Sequence, residues 1–228
     1  MFGITTLLLC ALAATNVAAH PTYQYKFDAA SAGGVEGTIT VDYDSETSTK
    51  ATIAADLDFS KVALSDITKA DANCTTEVAE YKWHIHVKWP SAAKTSDAFG
   101  QCGLPHTGNH YDPAKACGPA SEYSTAADCV PKIPTYTCNP TNYAANPEAC
   151  EKGDLSGKLG GLVLDTTKKV KKQWVDSNYP LPSENTPEWN MVLHAACGKA
   201  PRVACAVGVV DAGVKTASKK TTKCKARL

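Results

Sequence analysis

Val35-Glu36-Gly37-Thr38-Ile39-Thr40-Val41-Asp42-Tyr43 alternates larger apolar residues with polar or small ones. Successive side chains on a strand point to opposite faces, so this pattern predicts a strand with one face on a core and the other in water. Related textures, rich in aromatic and β-branched residues, predict strands at residues 23–29, 50–59 and 81–89. Asp42, Asp44 and Ser45 supply turn chemistry between the second and third strands. Strand texture returns at residues 159–164, 170–176, 189–194 and 202–210. No segment shows a convincing amphipathic helix. The eight predicted strands make an all-β domain, a sandwich or a barrel.

Between residue 90 and about residue 157 the alternation disappears. This stretch holds most of the 13 prolines, together with Cys102, Cys117, Cys129, Cys138 and Cys150. A structureless loop of this length is out of place in a compact domain unless it is functional. Disulfides would make it tolerable by restricting the unfolded chain.

Composition narrows the setting. A chain of 228 residues that is 43% hydrophobic can bury one substantial core. Its 23 basic and 23 acidic residues cancel, which gives no global argument for nucleic acid or membrane-surface binding. Residues 4–14 are apolar or small, and Val17-Ala18-Ala19 suits cleavage. That run is too short to span a bilayer. Residues 1–19 therefore read as a secretory signal peptide, with the mature chain starting near His20. No later segment is long and apolar enough for a transmembrane helix. Residues 213–228 carry Lys215, Lys219, Lys220, Lys223, Lys225 and Arg227. They read as a solvated basic tail, the alternative being weak contact with acidic polymers of a cell wall or surface.

Ten cysteines fit an oxidising, extracellular destination. Cys10 would leave with the signal, and the remaining odd number leaves one unpaired or paired between molecules. Cys224, in the polar tail, is the expected odd one. Asn73-Cys74-Thr75 is formally a glycosylation sequon, to which a disulfide at its middle position would restrict access.

The six histidines are His20, His84, His86, His106, His110 and His194. His84 and His86 share one face of a predicted strand. Two imidazoles there form half of a metal site, and imidazole suits copper, zinc, iron and nickel; two polar residues on a solvated face are the simpler alternative. His110 lies in the turn-like Gly108-Asn109-His110-Tyr111-Asp112-Pro113. His194 ends the apolar run Met191-Val192-Leu193-His194, as either a satisfied core residue or a ligand.

Five motifs in order resemble the copper-zinc superoxide dismutase family. They are His84-Ile85-His86, Gly108-Asn109-His110-Tyr111-Asp112-Pro113, Gly153-Asp154-Leu155, Val192-Leu193-His194-Ala195 and Arg202-Val203-Ala204-Cys205. The resemblance spans roughly residues 22–212. It implies an eight-stranded Greek-key β-barrel or sandwich over residues 20–212, with long disulfide-linked loops. It also implies His84, His86, His110 and His194 as copper ligands and a Cys102–Cys205 disulfide. Arg202 would stand at the channel mouth, where a fixed guanidinium attracts the superoxide anion. His110 would be the proton donor.

The chain departs from that family where zinc would bind. Cys117 and Glu151 stand where zinc histidines are expected, and His20 and His106 match neither position. Asp154 is kept, but one carboxylate cannot hold a zinc that wants about four ligands. Only residues 195–201 separate His194 from Arg202, in place of a long channel loop. Both losses resemble the secreted copper-only superoxide dismutases of fungi and oomycete-like microbes. That resemblance implies one copper per chain, no zinc, and conversion of superoxide to dioxygen and hydrogen peroxide by alternating Cu(II) and Cu(I). Glu151 would then accept from the second nitrogen of His110, with Asp154 nearby; the alternative for Glu151 is a surface acid beside Cys150. Two rivals remain at this point. One is a non-catalytic secreted copper-binding or wall-associated protein. The other is a copper monooxygenase using His20 as an exposed N-terminal residue.

Overall fold

Nine strands form among the residues described by this computed structural model, which are 20–90 and 94–211. The predicted signal peptide and basic tail, with Cys10 and Cys224, lie outside them. The strands are β1 (Thr22–Phe27), β2 (Glu36–Tyr43), β3 (Ala51–Asp58), β4 (Glu80–His86), β5 (Ser96–Ala98), β6 (Leu162–Val163), β7 (Lys169–Asp176), β8 (Asn190–Ala195) and β9 (Arg202–Asp211). Eight of them make one antiparallel path, β6-β4-β8-β9-β1-β2-β3-β7, with β5 paired to β9 outside it. The two ends, β6 and β7, are joined through a tight turn in which Asp165 N donates to Lys169 O at 2.9 Å. The path thus nearly closes into a barrel. The β3–β4 connection skips over β7 and β6, which is the Greek-key move.

The period-two pattern is visible as burial. Along β1 and β3 inward residues are buried and their neighbours are exposed or half-buried. The inward set includes Tyr25, Phe27, Ile39, Ile53, Leu57 and Phe59, which share one core with Trp83, Ile85 and Trp174. Phe59 stacks on Tyr81 with ring centroids 4.2 Å apart, and Trp83 packs on Trp174 at 4.9 Å. The Trp83 indole also donates to Gly160 O. Full burial of an aromatic side chain of this kind contributes about 3 kcal/mol.

The alternation fails on β4 and β8. From Trp83 to His86 every residue is buried, and so is all of β8. Both faces of these strands are covered: one lies on the core, while on the other His84 and His86 meet His110 and Val192 packs with Trp89, Cys102 and Cys205.

Three expectations need correction. Short helices occur at α1 (Leu64–Ala70), α2 (Leu104–Thr107), α3 (Pro140–Ala145) and α4 (Leu155–Leu159). They are too short to show a helical period; α1 buries only Ile67. The strand expected over 159–164 shrinks to β6, because α4 occupies its approach. Asp154 caps α4 by accepting from Gly157 N, and Gly160 at φ 86 ends it. Finally, β5 was not expected; it is a three-residue strand on the edge of β9.

The eight cysteines among the described residues pair as Cys74–Cys197, Cys102–Cys205, Cys117–Cys129 and Cys138–Cys150. Each of the last two spans 12 residues of the long loop. In the chain-entropy model, closing a loop of that size stabilises by about 3 kcal/mol. The loop that shows no periodicity is therefore ordered by covalent ties and short helices instead. Asn73 is exposed beside the buried Cys74.

Candidate metal centre

Strand alternation puts His84 and His86 on the β4 face that looks away from the core. β8 lies alongside in a register that sets Lys82 opposite His194 and His84 opposite Val192. Opposed residues share a face, so His194 joins the two histidines diagonally. A bulge shifts the β8–β9 register between Leu193 and His194, leaving His194 opposite Arg202. Bulges re-aim side chains in this way beside functional sites.

His110 arrives from the long loop. Residues 109–111 run along the end of β4, where Val87 N donates to Asn109 O and Tyr111 N to Ile85 O. Gly153 is interleaved with them, giving its N–H to Tyr111 O and its carbonyl to Ile85 N. A Cβ on Gly153 would stand 2.6 Å from Ile85 O and 2.8 Å from Tyr111 N, so only glycine lets the two segments approach. Buried Asp112 closes the next turn. Its carboxylate accepts from Ala116 N, Cys117 N and Ser121 Oγ.

The four histidines offer ligand atoms all within 4.8 Å of one another, and all four are buried. Their outer nitrogens are engaged so that an inner nitrogen is free. His86 Nδ1 faces Gly108 O at 2.9 Å, and His194 Nδ1 faces Ala200 O at 3.0 Å. A carbonyl only accepts, so both rings carry the proton on Nδ1 and present Nε2 inward, where the two Nε2 atoms are 3.4 Å apart. His110 Nδ1 faces Glu151 Oε2 at 2.6 Å. His84 is turned the other way: its Nε2 lies 3.5 Å from Asp154 Oδ1, while its Nδ1 is buried without a partner. An orphaned buried nitrogen is costly unless something binds it. The donor set and the orphan together fit a metal ion held by four imidazoles.

Electrostatics point the same way. Burial pushes His84 and His86 well below the usual imidazole range and His194 down to about 3, with the neighbouring histidines adding to the effect. These rings are therefore neutral, the form that binds metal. Burial raises Glu151, and the His110 contact opposes that shift. Its second oxygen, Oε1, is buried without a partner. Arg202 is drawn down to about 10 by burial, yet it stays cationic at neutral pH. Its Nη1 donates to Thr107 Oγ1 and to Cys102 O, beside the Cys102–Cys205 disulfide.

A cleft of 630 Å³ opens onto this cluster, and His84, His110, His194, Glu151, Asp154 and Arg202 all line it. Lys82 and Lys199 line it too, so two more cations accompany Arg202. Of the site residues expected from sequence, six thus line one cleft, while His86, Cys102 and Cys205 are fully buried. His20 is elsewhere, paired with Asp42 at 3.1 Å. Cys117 is tied to Cys129.

Several contributors were missed. Tyr136 donates its hydroxyl to Asp154 Oδ2 and accepts from Glu151 N, linking the two carboxylate residues. Thr107 orients Arg202, and the Ala200 carbonyl fixes the His194 ring. Lys82 alone carried a signal, since it precedes His84 by two positions on the same strand face.

No family model matches this chain, and no curated protein does. Solved structures do match. Superoxide dismutase 5 of Candida albicans in its Cu(II) form is 21% identical, with a TM-score of 0.52 over 87% of this chain and 97% of that one. A mutant of the same enzyme is 20% identical, with a TM-score of 0.51 over 83% and 88% of the two chains. At this identity the likeness establishes the fold, an antiparallel superoxide dismutase-like β-barrel.

Proposed function

We propose that this chain is a secreted copper-only superoxide dismutase, with His84, His86, His110 and His194 as the ligands of one copper and no zinc beside it. The observation that carries the reading is the buried four-histidine cluster, whose outer nitrogens are taken and whose inner ones converge. Copper, when bound, supplies one-electron chemistry between Cu(II) and Cu(I). The rest falls to the chain's own side chains.

Arg202, Lys82 and Lys199 line the cleft beside the carboxylates of Glu80, Glu151 and Asp154, and offer a small anion such as superoxide local positive charge. Arg202 is fixed by Thr107 and Cys102, so its guanidinium is pre-oriented at the pocket. In the reduced half of the cycle, when Nε2 of His110 is not engaged by the metal, that nitrogen would carry a proton and deliver it to the reduced product. Glu151 keeps the ring oriented through Nδ1 and steadies its charge when it is protonated. Glu151 lines the cleft, which places its carboxylate between His110 and the solvent that must restore the proton.

Absence of zinc is supported by what occupies its expected ligands. Cys117 is in a disulfide, Glu151 is committed to His110, and Asp154 accepts from Tyr136 and Gly157. The four disulfides fit an extracellular setting, and no helix among the described residues is long and apolar enough to cross a membrane. Reconstitution with mixed copper and zinc, followed by metal analysis, tests the assignment. One copper and no zinc per chain is expected; stoichiometric zinc contradicts the copper-only reading.

A further inference from the structure

The short connection between β8 and β9, residues 196–201, shapes the pocket twice. Lys199 lines the cleft, and the Ala200 carbonyl accepts from His194 Nδ1. Ala200 does this from φ 54, the left-handed region that non-glycine residues seldom occupy. Such a conformation is strained and persists only where its surroundings over-determine it.

Those surroundings come from the turn after α1, outside the pocket. Asp71 Oδ2 accepts from Lys199 N at 2.5 Å. Its other oxygen is held by Asn73, from N at 3.0 Å and from Nδ2 at 2.9 Å. Gly198, at φ 50, packs so closely on Asp71 that a Cβ would collide with its carboxylate. Three residues after Asp71, buried Cys74 is bonded to Cys197, and Thr68 Oγ1 donates to Cys74 O at 2.7 Å. Within the connection, Ala200 N donates to Cys197 O, and Ala195 N donates to Pro201 O. The turn therefore grips residues 197–199 from one side, just before the residue that holds His194.

We propose that Asp71, backed by the Cys74–Cys197 disulfide, is a positioning residue of the metal site. It holds residues 197–200 in the conformation that fixes His194 as the Nδ1–H tautomer and leaves Nε2 for the metal. This deepens the reading of the four histidines as ligands and rests on it. His86 provides an internal control, because its Nδ1 is held by Gly108 on a different loop.

The test uses the full chain with Asp71→Ala and Asp71→Asn. Imidazole nitrogen–proton correlation NMR of the metal-free protein reads each histidine's tautomer, and competition titration reads copper affinity. In the unsubstituted chain His194 should show a single Nδ1–H tautomer. Asp71→Ala should mix its tautomers and weaken copper binding about 10–100-fold, the usual cost of losing support behind a ligand. His86 should stay unchanged, and Asp71→Asn, which keeps one acceptor oxygen, should recover most of the loss. A merely structural role would lower the melting temperature but leave the His194 tautomer and the copper affinity as they were; that result overturns the proposal. Cys74→Ser with Cys197→Ser should shift His194 in the same direction where that variant folds. If the unsubstituted chain binds no copper, the functional reading fails, while the tautomer comparison still decides the role of Asp71.

Discussion

Strand β4 presents two faces to two different surroundings. Tyr81, Trp83 and Ile85 enter the barrel core, where Phe59 and Trp174 stack against them. Lys82, His84 and His86 point to the outer face, which the loop over residues 107–154 covers from His84 onward, leaving Lys82 exposed. One backbone thus carries apolar packing on one side and coordination chemistry on the other, a single residue apart. The core face needs only shape and hydrophobicity. The outer face needs the loop, its disulfides and a set of oriented carbonyls, because buried imidazoles must be both desolvated and aimed. Stability and metal binding should therefore be separable on the same strand.

The sharpest way to break that comparison is to substitute neighbours. Trp83→Ala should cost about 3–5 kcal/mol, a large part of a typical 5–15 kcal/mol total. Denaturant unfolding would measure this, and the molecules that remain folded should still take up copper. His84→Asn should do the reverse, abolishing stoichiometric copper binding with little loss of stability. Comparable unfolding in both variants would show that the faces are not independent.

Glu151→Gln probes the outer face alone. It keeps the size of the side chain but removes the carboxylate behind His110. Dismutation or copper affinity should fall about 10–100-fold while the unfolding midpoint moves little. Unchanged kinetics would reduce Glu151 to a packing role.

The two faces should also fail at opposite ends of the pH scale. In the metal-free chain His84 and His86 lie well below the usual value and His194 lies near 3, so the folded state stays unprotonated where the unfolded chain, with imidazoles near 6.5, binds protons. Stability should fall as pH drops below about 6.5, by at most about 1.4 kcal/mol per pH unit for each ring. Glu151, raised by burial, opposes this slope above the ordinary carboxylate value. In the core, burial raises Tyr81 and pushes Tyr25 up to about 12. Unfolded tyrosines ionise near about 10, so stability should also fall as pH rises past that value. Unfolding of the metal-free chain across pH would show both limbs. A shallower acid limb with an unchanged alkaline limb in a His194→Gln variant would assign part of the acid limb to that ring.

The smallest effect is expected at the rim. Lys199→Ala should slow superoxide removal a few-fold and flatten its dependence on ionic strength, since it removes one of three cleft cations. A steeper salt dependence would contradict the steering role.

What could be read from sequence follows the same division. The strands of the barrel wall declared themselves because period two is a local signal, as in residues 35–43. The four histidines were legible as a set through the family-like motifs that contain them; taken singly, the His84–His86 pair also fitted a solvated face and His194 a core position. The register bulge that brings Arg202 opposite His194 had no such signal, since it depends on how β8 and β9 pair. The partners of Cys117 and Cys138 were equally hidden, because an odd set of cysteines permits many pairings. α4 was masked by an apolar run that also suits a strand, and its start was set by the Asp154 cap. Ala200 acts through its backbone carbonyl, which no side-chain pattern can reveal.

The central claim is that this pocket turns over superoxide with copper alone. Its most direct test is the rate of superoxide removal by the copper-loaded, zinc-free chain. Rapid removal proportional to bound copper, lost in His84→Asn, is the predicted result. Fully copper-loaded protein that leaves superoxide decaying at its spontaneous rate would contradict it.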